Sequence, residues 1–244
     1  MKEKMNHVKI EVGEGPVEKH LVILSIDVMY LMRICYLVTV SRDFHFITTT
    51  ALRDRKKKTM LHALKYAVNV YNSKGHTVEK VEFSQVNNEI HTILADNEFE
   101  VLREEIEESG IKVNISAKEE HVPEVERQIR VIKEQARAIV QTLPYSDTPK
   151  KMKVAMIHYA FFWLNLIPKS DQDYSPKDLI LGEQKIDYKI LCQLPFGAYV
   201  QVHDDKDVTN NIDSRTTGAI NLGPIGNVQG THKFLSLKTG EILV

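Results

Sequence analysis

The chain has 244 residues, 43% hydrophobic and 27% charged, with a formal net charge of −1. That balance excludes disordered, collagenous and disulfide-knot classes, and it lacks the strong basic excess of a dedicated DNA coat protein. The two cysteines, Cys35 and Cys192, form no CxxC pair, so no cysteine-based zinc site can be written and a reducing, intracellular setting is expected.

In chain order, the first nineteen residues lack an apolar core and read as a loose tail rather than a secretory signal. Residues 21–29, LVILSIDVM, are apolar and β-branched and predict a strand with Asp27 inside it. Residues 36–40 and 44–50 predict two more, joined by a short turn at Arg42-Asp43, which favours antiparallel pairing. Leu61, Leu64, Ala67, Val68 and Tyr71 then recur at helical spacing over 56–73, ahead of Gly75.

Strands are expected at 78–83 and 89–95, a short acidic helix at 99–108 and a strand at 112–115. Pro123 opens a long helix whose apolar positions, Val125, Ile129, Ile132, Ala136, Ile139 and Val140, are spaced mostly by three and four. A second long helix runs over about 150–166; its run from Val154 to Pro168 contains His158 and Asn165 and is too short for a membrane span. It reads as a core helix, although Phe161, Phe162 and Trp163 also suit a contact surface. Ser175-Pro176 starts a short helix. After Phe196-Gly197, helical periodicity gives way to short strand-like runs at 198–203, 218–222, 232–237 and 241–244.

Strands alternating with helices imply right-handed crossovers. The expected architecture is α/β: an RNase H-like mixed five-stranded sheet with flanking helices, followed by a small all-β, SH3-like module. The expected divisions are a tail over 1–19, the core over 20–190 and the β module over 191–244.

Three carboxylates stand where acids are costly or well placed. Asp27 interrupts an apolar strand, where an ionised carboxylate costs several kcal/mol unless paired or bound to a cation. Asp96 follows an apolar strand, although Asp96-Asn97 also suits a turn. Glu126 lies in the first turn of the long helix, where the helix dipole also favours it. Together Asp27, Asp96 and Glu126 fit a carboxylate cage for Mg²⁺ or Mn²⁺, with two ions serving an in-line displacement at phosphorus. Glu124 competes with Glu126: two helical positions apart, only one can face the site.

Glu126, Arg130, Lys133 and Arg137 advance by four, three and four, so one helix face carries a carboxylate followed by three cations. With Arg127 and the cluster Lys56, Lys57 and Lys58, these are the candidate phosphate contacts. The same charges also suit an ordinary solvated face.

At these residues the sequence resembles the integrase segment of copia-type retrotransposon polyproteins. The resemblance rests on SID at 25–27, YLVTVSRDF at 36–44, ADNEFEVL at 95–102 and EHVPEVERQIRVIKE at 120–134. It continues through YSPKDLILGEQKIDY at 174–188, FGAYVQVH at 196–203 and residues 215–244. It implies a DDE-type polynucleotidyl transferase that processes 3′ ends and joins element DNA to target DNA. By the same resemblance the third acid is Glu126 rather than Glu124. DNA as partner, a homo-oligomeric form and nuclear localisation follow from it too, with no membrane and no small-molecule cofactor. The sequence departs from the family in its 29-residue gap between Asp96 and Glu126, which is shorter than usual, and in lacking the upstream His/Cys zinc region. The alternative is an inactive relic serving as a nucleic-acid-binding or interaction module.

Overall fold

A computed structural model describes residues 21–73, 77–83, 102–115, 123–170, 172–181, 187–203, 214–227 and 229–244. The expected strand at 89–95, and Asp96 with it, lies outside the described residues.

The described residues begin with β1 (Leu21–Leu31), β2 (Ile34–Ser41) and β3 (Ile47–Leu52), an antiparallel meander. The first turn is tighter than the sequence suggests. Leu31 pairs with Ile34, and the two turn residues, Met32 and Arg33, have φ of 53° and 63°. Such left-handed pairs match the twist of the flanking strands, and they usually carry Asn or Gly. Without either, the turn gives no sequence signal, and β1 and β2 reach further than the expected 21–29 and 36–40.

Helix α1 (Lys57–Asn72) leads into β4 (Thr77–Phe83). The short α2 (Arg103–Glu107) precedes β5 (Lys112–Ile115). Both β4 and β5 join the sheet in parallel, giving the order β3-β2-β1-β4-β5. Parallel pairing follows from the helices, since a crossover returns the chain in the same direction.

The sheet is covered on both faces. On one, α1 buries Met60, Ala63, Leu64, Val68 and Tyr71 against Leu24, Ile26 and Val28 of β1. On the other lie α3 (Pro123–Thr142) and α4 (Lys150–Leu166). Helix α3 buries the stripe Val125, Ile129, Ile132 and Ala136, at the spacing read from the sequence. Helix α4 is apolar on most sides because it packs against α3, β3 and the second sheet at once.

Helices α5 (Pro176–Leu181) and α6 (Tyr188–Leu191) connect to a second, antiparallel sheet. Its strands are β6 (Tyr199–His203), β7 (Thr216–Pro224), β8 (His232–Ser236) and β9 (Ile242–Leu243), in that order across the sheet. Helix α6 was not expected; Asp187 caps it by accepting from the Lys189 amide at 2.9 Å.

Candidate active site

Asp27 sits in the middle of β1, opposite Val38 of β2. Strand alternation turns its side chain to the face shared with Met29 and Val38, the face that α3 covers. The described pairing of β1 with β4 ends at Ile26 and Phe83, one residue before it. The residue is only 6% exposed, and its carboxylate accepts one hydrogen bond, from the Val28 amide at 2.6 Å.

Burial pushes the Asp27 carboxyl up from the usual 3.8 to about 7. The Val28 N–H pulls against this, the Glu126 carboxylate adds to it, and the Lys133 ammonium opposes it. Burial is the largest cause; the two α3 side chains act on Asp27 with opposite sign. The periodicity that put 126 and 133 on one face of α3 accounts for their placement: with Val125, Ile129 and Ile132 turned into the core, Glu126 is exposed and Lys133 half-buried beside β1.

Glu124 has a different role. Its Oε1 lies 3.3 Å from Nε of Arg42, at the end of β2. Arg42 is itself tied to β1, its amide donating to the Ile23 carbonyl at 3.0 Å. Glu124 is thus engaged in an ion pair with Arg42, while Glu126 is exposed on α3. Helical spacing gives no sign of this pair, because the partner lies 82 positions upstream (124 − 42).

The basic residues divide into groups. Arg127 and Arg130 are exposed on α3. Arg137 pairs with Glu134 one turn away. Lys57 is committed to Glu105 of α2 at 2.7 Å, whereas Lys56 and Lys58 on either side of it are exposed. Lys56 to Lys58 open α1 on the opposite face of the sheet from Asp27.

An oxygen-only donor set of this kind suits a hard divalent cation, and a buried carboxyl held near neutrality is relieved by one. Asp27 and Glu126 would hold it. Among the described residues no group of three or more His, Cys, Asp or Glu comes together as a ready metal site. Asp96, the third expected ligand, lies outside them.

No family model matches this sequence, and no curated protein matches it. Solved structures similar to it include the catalytic core domain of the BIV integrase, at 14% identity and a TM-score of 0.45, covering 65% of this chain and 93% of that one. The HTLV-2 integrase catalytic core domain, in a trimeric form complexed with magnesium, is similar at 13% identity and a TM-score of 0.47, covering 66% of this chain and 96% of that one.

Proposed function

We propose that this chain is the RNase H-like catalytic core and appended SH3-like β module of a copia-type integrase, acting as a metal-dependent DNA polynucleotidyl transferase. The observation that carries this is the buried Asp27 carboxyl on the central strand, on the sheet face covered by α3, the helix that bears Glu126 and Lys133. The motif resemblance around those residues supports it, as does a sheet with an antiparallel entry and a parallel half.

In the reaction proposed, a water or DNA 3′-hydroxyl oxygen attacks a phosphodiester phosphorus. One P–O bond forms as the opposite one breaks, the leaving 3′ oxygen takes up a proton, and the nucleophile loses one. Bound divalent ions would supply charge neutralisation and a more acidic nucleophile. Asp27, Asp96 and Glu126 are the ligands we assign. The chain's own contribution is positioning: β1 fixes Asp27 within the sheet, and the Arg42–Glu124 pair anchors the first turn of α3, from which Glu126 projects. Lys133, Arg130 and Arg127 would hold the phosphate backbone leading away from the acids.

The test is Mn²⁺-dependent nicking and joining of a labelled branched oligonucleotide. Asp27→Asn, Asp96→Asn and Glu126→Gln are each expected to lower joining at least about a hundred-fold, as when a group stabilising transition-state charge is lost. Glu124→Gln should retain most activity. Undiminished joining by the Asp27 or Glu126 variant would sink the assignment. Cleavage without joining would reassign the chain as a nuclease, and salt-sensitive DNA binding without either would favour the relic.

A further inference from the structure

Beyond the acids, a cluster of positive residues lies at the far end of the β1–β2 hairpin. In cross-strand register Tyr30 faces Cys35, which faces Leu52, so the residues after β3 emerge beside the hairpin tip. Arg33 is exposed in the tight turn. The Arg53 side chain is 89% exposed. The Arg55 guanidinium lies over the Tyr30 ring, 5.4 Å from its centre, and Lys56 and Lys58 are exposed just beyond. Asp54 is the acid within this stretch. Its Oδ1 accepts from the Lys56 amide at 3.1 Å and from the Thr59 hydroxyl at 2.6 Å, so it braces the turn into α1.

We infer that Arg33, Arg53, Arg55, Lys56 and Lys58 form a docking surface for the phosphate backbone of duplex DNA, separate from the cationic face of α3. The inference deepens the proposed function and rests on it for the identity of the partner. Charge complementarity is the first argument. A merely solubilising surface mixes the two signs in roughly equal measure. Here, among the described residues, Arg33, Arg53, Arg55, Lys56 and Lys58 outnumber the acids beside them, Asp54, whose Oδ2 lies 3.6 Å from Nε of Arg53, and Glu105, which pairs with Lys57.

Preorganisation is the second argument. The Tyr30 ring, half-exposed, holds Arg55 in place, so less side-chain freedom is lost there when a phosphate binds.

Continuity is the third. Tyr30 is three residues beyond Asp27, about 10 Å along the strand. A DNA strand offers a phosphate about every 3.4 Å of helix axis, so the offset spans about three phosphates. Alternation puts Tyr30 on the α1 face and Asp27 on the α3 face. Asp27 is buried on the face covered by α3, so the hairpin patch would hold a stretch of duplex beyond the acids rather than at them.

The experiment uses the full chain and a labelled duplex of random sequence, with binding read by fluorescence anisotropy over a salt series in chelator. Arg33→Glu, Arg53→Glu and Lys56→Glu are each expected to weaken binding about three- to ten-fold, with the salt slope falling by about one for each phosphate no longer neutralised. Arg33→Gln gives a milder replacement should reversal disturb the turn. Lys65→Glu, on the α2 side of α1, should bind within about two-fold of the native chain. Native affinity and slope in all of the hairpin variants would overturn the inference. The two proposals fail separately: weakened binding in these variants with no joining by the native chain removes the enzyme assignment alone. Joining by the native chain with unweakened variants removes the docking surface alone.

Discussion

Asp27 is held in a protonation state that the unfolded chain would not choose. Its carboxyl titrates near 7 when folded and near 3.8 when free. Between those values the folded chain retains a proton that the unfolded chain releases, so stability falls as pH rises through that window. At 1.36 kcal/mol per unit the full effect is about 4 kcal/mol, present below pH 4 and lost above pH 7. In chelator, Asp27→Asn should therefore be more stable than the native chain at pH 8 and nearly equal to it at pH 4. Urea unfolding at both pH values measures this, and a constant difference between the two proteins would refute it. Divalent cation at pH 8 should restore stability to the native chain and not to the variant. The sequence showed the acid in an apolar strand, which is the local half of this argument. The other half is long-range: neither the engagement of Glu124 by Arg42 nor the stacking of Arg55 on Tyr30 can be read from spacing, since each depends on strand register.

At the scale of elements, helices with a clean apolar stripe were legible and edges were not. The bounds of α3 and α4 fall within two residues of expectation because burial dictates their pattern. Of the acidic helix expected over 99–108, residues 99–101 lie outside the described residues, and the described part is helical over Arg103–Glu107. Strand β3 forms one edge of the large sheet, and exposed edges need partners. Here Asn165 of α4 supplies them. Its side-chain oxygen accepts from the Ile47 amide and its nitrogen donates to the Ile47 carbonyl, both at 2.8 Å, so the amide imitates a neighbouring strand. In the sequence this residue looked only like a polar interruption of an apolar helix. Asn165→Leu keeps the volume and strands both Ile47 groups. A loss of about 2–4 kcal/mol is expected, with faster hydrogen exchange at the Ile47 amide. Native stability and native exchange in that variant would mean that water satisfies Ile47 equally well.

The two sheets share one interior. A single apolar cluster joins Met29 and Val38 of the large sheet, Ile132 of α3 and Met156 of α4 to Leu222 and Leu235 of the second sheet. The junction is also pinned by polar contacts. The Asn221 side chain donates to the carbonyls of Leu194 and Pro195, at 3.0 and 2.9 Å, and accepts from the Gly223 amide and faces Nδ1 of His232, at 3.2 and 2.9 Å. Gly223 has φ of +103°, and a Cβ there would stand 2.5 Å from the Tyr159 ring of α4. Tyr159 in turn packs on Phe196, with ring centres 5.3 Å apart. The seam is therefore fitted to a residue without a side chain, and helix α4 belongs to both sheets. If the second sheet were only tethered, a defect at Gly223 would unfold it alone. Because the core is shared, Gly223→Ala is expected to lower the stability of the whole chain by about 2 kcal/mol or more, through backbone strain and overpacking together. Calorimetry should show one transition moved to lower temperature, with Asp27-region and β7-region probes melting together. Two transitions, only one of them shifted, would instead mean that the contacts across α4 form after each sheet has folded by itself.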